Sequence, residues 1–345
     1  MFVPIKIMYD YARDNNFCVS RFLVTNLESV EAVSRAAEAA NSPVLFDVYF
    51  PLMEDSCLGC LEDIAKRFIN TSSIPAGLWC DHIESVDECI KAIDRGYNGV
   101  MIDLSRISFE ENVKGSKIVV DYAHKKGVFV EGEVGIITKA SEDASSVSGR
   151  VAETDPREAE EYVKRTGVDA LALSIGVQSG FYKGEPDINY KLIKELSKLD
   201  THLCLHGASG LSKEIVRKCI DNGMHSTGYG TDPLFVFFKT IDEIRRKEGE
   251  KFIDTSKILI PARDSQQKEI EEKINYIKSN NRGREIINIY KSTVDYKGYK
   301  SDVSYTNTTS SINNAKCNIN NKNNDLDKVV KAVTNEVLRQ IGYKK

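Results

Sequence analysis

The run SVDECIKAIDRGYNGVMIDLSRISFEENVKGSKIVVDYAHKKGVFVEGE, from Ser85 to Glu133, decides the expected fold. It holds two amphipathic helical patterns, Ser85–Arg95 and Phe109–Lys126, and two short apolar runs, Gly99–Ile102 and Val128–Glu133. Gly96 and Gly127 stand where helix C-caps belong, because glycine enters the left-handed backbone region without steric cost. A helix that stops at glycine and returns as a short buried strand is the unit of a parallel sheet with crossovers.

The same alternation extends in both directions. Further candidate strands are Val19–Val24, Val44–Val48, Gly77–Cys80, Ala170–Ile175, Leu203–His206 and Met224–Thr227. Leu27–Ala40, Pro156–Thr166, Tyr190–Leu199 and Ser212–Asn222 have helical patterns between them. Pro43 cannot continue the first of these and biases Ser42 out of the helical region. Gly167 and Gly223 repeat the glycine stop. Eight strands in a chain of 345 residues predict closure into a (β/α)8 TIM barrel over residues 1–284. A doubly wound open sheet is the runner-up, but the first strand is not followed by its Gly-x-Gly-x-x-Gly turn. Gln266–Lys278 reads as a charged helix closing the core. Residues 285–324 read as a polar, flexible linker, because the Asn, Ser and Thr of Tyr305–Asn324 cannot bury enough surface to offset ordering entropy.

Composition narrows the function class. Lys and Arg number 47 against 51 Asp and Glu, a formal charge of −4, which argues against a nucleic-acid coat. No apolar run approaches the roughly 18–20 residues that a membrane span needs. Met1-Phe2-Val3-Pro4-Ile5-Lys6 lacks the basic-then-apolar order of a secretion signal, so the eight Cys are expected as reduced thiols in the cytoplasm. The lone Cys57-Leu58-Gly59-Cys60 is read as free thiols rather than a metal site.

In a barrel of this kind, chemistry sits at the C-terminal ends of the strands. Those ends carry Asp81-His82, Asp103-Leu104-Ser105, Glu131-Gly132-Glu133, the loop Gly176–Gly184, His206-Gly207-Ala208-Ser209-Gly210 and Gly230-Thr231-Asp232. Two His, several carboxylates and a Gly/Ser turn on one rim suit a divalent metal beside a phosphate.

Further motifs lie along the chain: Asn41-Ser42-Pro43-Val44, Val100-Met101-Ile102-Asp103 followed by Phe109-Glu110-Glu111-Asn112, and Tyr122-Ala123-His124 before Lys126-Gly127. Arg165-Thr166-Gly167-Val168-Asp169-Ala170, Tyr182-Lys183-Gly184-Glu185-Pro186 and Pro261-Ala262-Arg263 continue the series. With the rim motifs, these make residues 4–280 resemble the class II, metal-dependent fructose- and tagatose-bisphosphate aldolases. The resemblance implies an aldehyde lyase for a phosphorylated ketose, zinc or another divalent metal as cofactor, and a homodimer or higher homo-oligomer. It implies Asp81 as the proton-transfer base and His82 and His206 as metal ligands. The family's third His falls at Ser179, a poor zinc ligand, and Glu133 is the expected replacement, with Gln178 or a thiol as alternatives. Gly207, Ser209, Gly210 and Thr231 are implied phosphate contacts, and Asp103, Ser105, Gly180, Lys183 and Arg263 further substrate contacts. Other rim positions depart from the family: Leu23 and Trp79 replace Asn and His, Ala208 replaces a turn glycine, and Gly228-Tyr229-Gly230 replaces most of an Asn-rich run. The alternative expectation is therefore a catalytically degenerate homologue that binds phosphosugars or serves assembly.

The last segment regains a period. Leu326, Val329, Val330, Val333, Val337, Leu338 and Ile341 recur at spacings of three and four, which predicts an amphipathic helical tail over 325–345. Asp325 suits the N-cap and Gly342 the stop. The stripe, its position and its tether resemble the encapsulation peptides that carry enzymes into bacterial microcompartments; docking onto the chain's own barrel and a coiled-coil partner are the alternative expectations.

Overall fold

The computed structural model of the chain describes residues 1–49, 60–139, 153–182, 184, 186–249 and 251–293. Eight parallel strands close into a barrel: β1 (Val19–Leu23), β2 (Val44–Tyr49), β3 (Ala76–Ile83), β4 (Gly99–Ile102), β5 (Phe129–Val134), β7 (Ala170–Leu173), β9 (His202–Leu205) and β10 (Met224–Tyr229). Neighbours along the chain are neighbours in the barrel, and β1 pairs with β10 to complete it. Two further strands of two residues each, β6 (Thr138–Lys139) and β8 (Gln178–Ser179), pair with each other apart from the barrel. The barrel expectation holds and the open sheet falls away.

The helices are α1 (Ile5–Asp14), α2 (Leu27–Ala40), α3 (Leu61–Thr71), α4 (Val86–Asp94), α5 (Phe109–His124), α6 (Pro156–Thr166), α7 (Tyr190–Leu196), α8 (Lys213–Asp221), α9 (Thr231–Glu248), α10 (Thr255–Tyr276) and α11 (Gly283–Thr293). Local chemistry fixes their ends. Asn26 and Ser29 form a reciprocal capping box on α2, Asp155 caps α6 just before Pro156, and Gly167 ends α6 with a φ of 73°. The charged helix expected at Gln266–Lys278 is the second half of the longer α10. Helix α11 runs across the boundary expected at 284. Buried Ile286 and the bond from Gly283 N–H to the Asn41 carbonyl (2.8 Å) tie it to the body. The rest of the linker and the tail 325–345 lie outside the described residues.

Period-two alternation divides the core. Outward-facing Phe22, Phe46, Leu78, Val100, Val130 and Leu171 pack under the helices. A second cluster holds Val19, Leu45, Trp79, Met101, Phe129, Ala172 and Cys204 from the strands, with Ile5, Met8 and Tyr9 of α1. Helix α1 thus closes the N-terminal mouth, and the Tyr9 hydroxyl meets Ser226 Oγ at 2.6 Å. Gly99 makes the barrel interior possible: a Cβ there would lie 2.3 Å from the Trp79 ring.

The closed end also buries two histidines as neutral rings. His202 Nδ1 and His225 Nδ1 stand 3.3 Å apart, and His202 Nε2 meets Asp10 Oδ1 at 3.1 Å. His225 is therefore paired at the end of the barrel opposite the rim, and is no candidate ligand there. Burial pushes His202 down to about 4 and His225 to about 3, the second helped by His202. The unfolded chain takes up protons near pH 6.5 that the folded chain refuses, so these two residues reduce stability as pH falls from about 6.5 toward 4. His225→Gln is expected to remove about 2 kcal/mol of the stability lost between pH 7 and pH 5, measured by urea unfolding at both values. An unchanged difference would show that the pair is not what titrates.

Candidate active site

The C-terminal ends of the strands surround a cavity of about 260 Å³. Of the residues expected at the site, Asp81, His82, Asp103, Ser105, Glu133, Ser179, Gly180, His206, Gly207, Ser209 and Thr231 line it. Sequence-distant strand ends converge here because the barrel closes.

At the end of β3, His82 has a φ of 48°, in the left-handed region where a non-glycine residue is uncommon. That turn breaks the register with β4 between Cys80 and Ile83. His82 Nδ1 donates to Asp103 Oδ2 at 3.0 Å, and its Nε2 lies 3.7 Å from Asp81 Oδ2. Asp103 Oδ1 accepts from the Ser105 amide (3.2 Å) and hydroxyl (2.7 Å). Burial opposes charge on His82, but Asp81, the Asp103 hydrogen bond and Glu133 outweigh it and push the ring up to about 10. Burial likewise opposes ionisation of Asp103, and the same imidazolium holds it down at about 2.

Beneath this level the barrel holds a guanidinium. Arg21 on β1 is 0% exposed. Its Nη1 donates to Glu131 Oε2 at 2.7 Å and lies 3.7 Å from Asp81 Oδ1. Its Nη2 lies 2.8 Å from His206 Nε2, which is also 2.6 Å from Glu131 Oε1. Its plane covers the Trp79 ring with Cζ 4.7 Å from the centroid, and the indole N–H donates to Asp81 Oδ1 at 3.1 Å. Burial opposes ionisation of Asp81, but Arg21 first, then His82, His206 and the indole, hold its carboxyl well below the usual range.

The donor set fits a divalent cation. Asp81, His82 and His206 offer ligand atoms within 4.8 Å of one another, and two imidazoles with a carboxylate are an accepted zinc set. Each imidazole has one nitrogen engaged by a carboxylate, Asp103 for His82 and Glu131 for His206, the support that metal-binding histidines usually have. Glu133 departs from expectation. It groups with His82 and Asp103 and does not join His82 and His206 in one set. The Ile137 amide donates to its Oε1 at 3.2 Å, while buried Oε2 has no partner. Burial first, then Asp103, pushes Glu133 up to about 8, so it carries a proton at neutral pH. Cys80 is buried with its thiol pushed well up by burial and belongs to neither set, and Cys57 lies outside the described residues.

The turn after β9 is built for close backbone approach. Gly207 has a φ of 64°, and a Cβ there would lie 2.3 Å from the Gln178 carbonyl oxygen. The Tyr182 hydroxyl donates to the Gly207 carbonyl at 2.7 Å and accepts from the Gln178 amide at 3.2 Å. Gly210 N–H donates to Asp232 Oδ2 (2.9 Å), which is paired with buried Lys273 at 2.6 Å. Thr231 opens α9, so a helix N-terminus faces the same cavity, a natural seat for an anion. Gly210 thus stands beside the cavity rather than on its lining. Arg263 does not line it either: its guanidinium pairs with Glu31 (3.0 Å) and Asp264 (2.7 Å). Lys183 lies outside the described residues.

Comparison with known proteins agrees with this geometry. The family described as fructose-bisphosphate aldolase class-II matches residues 3–282. The chain belongs to the class II fructose-bisphosphate aldolase family. It is 35% identical over 273 residues to a fructose-bisphosphate aldolase of Geobacillus stearothermophilus, covering 76% of this chain and 92% of that one. It is 32% identical over 292 residues to a fructose-bisphosphate aldolase of Staphylococcus aureus, covering 82% and 99%. The crystal structure of the YdjI aldolase from Escherichia coli K12 superimposes with a TM-score of 0.72 at 27% identity, over 82% of this chain and 100% of that one. The reaction class of this aldolase is carbon–carbon lyase. No helix among its described residues is long and apolar enough to cross a membrane.

Sequence reading of this aldolase missed Arg21, Asp47 and Arg106. Asp47 and Arg106 line the cavity, and Asp47 is buried with Oδ1 unpartnered and its carboxyl pushed well up by burial and by Asp81. The available signal for Arg21 and Asp47 was a charge inside an apolar strand, which requires a partner across the barrel.

Proposed function

We propose that the rim cavity is the active site of a divalent-metal-dependent aldolase acting on a phosphorylated ketose of the fructose- or tagatose-bisphosphate type. One observation carries the reading: an ionised carboxylate, two carboxylate-supported imidazoles and an anion-seating turn share a single cavity of about 260 Å³. His82 and His206 would hold the metal, zinc in the first instance, with the Asp81 carboxylate beside them. When bound, such a cation supplies Lewis acidity toward a ketone oxygen. The Gly207–Gly210 turn and the amide end of α9 at Thr231 orient the substrate through its phosphate. Asp81 moves the substrate proton, its charge maintained by Arg21 and Trp79. Asp103 and Ser105 fix the His82 ring. Glu133, its carboxyl pushed up by burial and by Asp103, stands in the same cavity beside His82 and Asp103.

The test is cleavage of fructose and tagatose 1,6-bisphosphates by zinc-loaded protein. Asp81→Asn is expected to lower kcat by about 10²–10⁴-fold with the fold intact by circular dichroism. Undiminished turnover in that variant would remove Asp81 from its role. A zinc-loaded wild type that binds but never cleaves phosphorylated ketoses would favour the phosphosugar-binding alternative.

We also propose cytoplasmic residence, a homodimer or higher homo-oligomer, and targeting of the enzyme to a microcompartment shell by residues 325–345. The apolar stripe from Leu326 to Ile341 supports the last, because a helix of about 17 residues is marginal in water until its face is covered. Sedimentation velocity reads the oligomeric state, and a monomer at micromolar concentration would count against it. A fusion of residues 325–345 to a fluorescent protein is expected to co-localise with co-expressed shell proteins and to become diffuse with Val333→Asp. A wild-type fusion that stays diffuse contradicts targeting.

A further inference from the structure

Arg21 stands in contact with most of what the proposed metal set depends on, yet it cannot reach a substrate. Its side chain is 0% exposed and does not line the cavity. It donates to Glu131, approaches Asp81 at 3.7 Å, and covers the indole that donates to the same Asp81 oxygen. Asp81 therefore presents Oδ1 toward the guanidinium and Oδ2 toward His82, so a cation held beside Asp81 would share that carboxylate's charge with a fixed positive charge.

His206 is contested as well. Glu131 Oε1, 2.6 Å from Nε2, can only accept, so that bond requires a proton on Nε2 and leaves Nδ1 with a lone pair for a metal. Arg21 Nη2, 2.8 Å from the same nitrogen, can only donate, so that bond requires a bare Nε2 and puts the proton on Nδ1. One nitrogen cannot satisfy both. The guanidinium favours the tautomer that cannot ligate through Nδ1, and Glu131 favours the one that can. Arg21 also binds Glu131 through Oε2, so removing the arginine releases the carboxylate to serve His206 alone.

We propose that Arg21 is a positioning residue that sets the metal affinity of this site, holding it weak and the cation exchangeable, by sharing the charge of Asp81 and contesting Nε2 of His206. The proposal rests on the reading that His82 and His206 hold the metal beside Asp81. It concerns binding and not turnover, so activity is not its readout.

The experiment titrates Co²⁺ alone into the full chain stripped of metal. Binding is followed by the visible spectrum of the cobalt centre and by the fluorescence of Trp79, the one tryptophan of the chain. Arg21→Met is expected to bind about 10–100-fold tighter than wild type, the range over which supporting residues change metal affinity. Arg21→Lys, which keeps the charge, should return most of the way to the wild-type affinity. Glu131→Gln, which leaves the guanidinium uncompensated and His206 without its carboxylate, should bind more weakly than wild type. It keeps the proposal open to refutation should Arg21→Met fail to fold. Equal affinity in wild type and Arg21→Met, with binding lost in His82→Ala, would overturn the role of Arg21 while leaving the metal set standing. Affinity unchanged in Glu131→Gln would also overturn it. Absence of cobalt binding in every form would overturn the metal set and, with it, this proposal.

Discussion

A guanidinium inside a barrel is the constraint on which the rest of the site depends. Taking two charges out of water costs several kcal/mol per ion, and that cost is offset only where geometry and hydrogen bonding are good. Arg21 and Glu131 meet at 2.7 Å, with His206 and the face of Trp79 against the guanidinium, whose Nε alone has no hydrogen-bond partner among the described residues. The indole fits because Gly99 leaves room beside it. A residue chosen for its missing side chain on β4 thereby positions an aromatic ring on β3, a cation on β1 and an acid on β5. The proposed site groups one level higher stand on this layer: Trp79 and Arg21 contact Asp81, and Glu131 contacts His206.

The barrel separates stability from chemistry along its axis. At the closed end, α1 packs apolar residues under the strands, and His202 and His225 are held neutral. In the middle lies the compensated Arg21 layer. At the open end, the backbone is strained at His82, with its positive φ, and turns tightly at Gly207, which tolerates no side chain. Such conformations persist because their surroundings fix them. Asp103 and Asp81 flank the His82 ring, and Tyr182 pins Gly207.

The barrel was legible because its signals are local. Apolar runs bounded by glycine stops place Gly99–Ile102 at the bounds that β4 occupies, and Asn-Ser-Pro after α2 places the start of β2. The two-residue strands β6 and β8 were not legible, since pairs that short carry no period. Asp81, His82 and His206 could be named from motifs. Glu133 could be named too, but not which residues stand nearest to it, for a reason of geometry. Residues two apart on a strand share a face but differ in height by about 6.6 Å. Glu131, the deeper of the two, meets His206, while Glu133 stands nearer His82 and Asp103. Arg21 was invisible because its partner is 110 positions away, on β5. Arg263 carries a family motif, yet its charge is spent on Glu31 and Asp264, contacts that no sequence spacing announces.

The account stands most directly on where a metal binds and what lies beneath it. A crystal of the full chain grown with zinc, measured at the zinc absorption edge, locates the ion by anomalous scattering. The expected result is one site per chain bonded to His82 and His206 beside Asp81, with Arg21 still donating to Glu131. Zinc on a different set of residues, or a guanidinium driven off Glu131 to make room for it, would contradict the account.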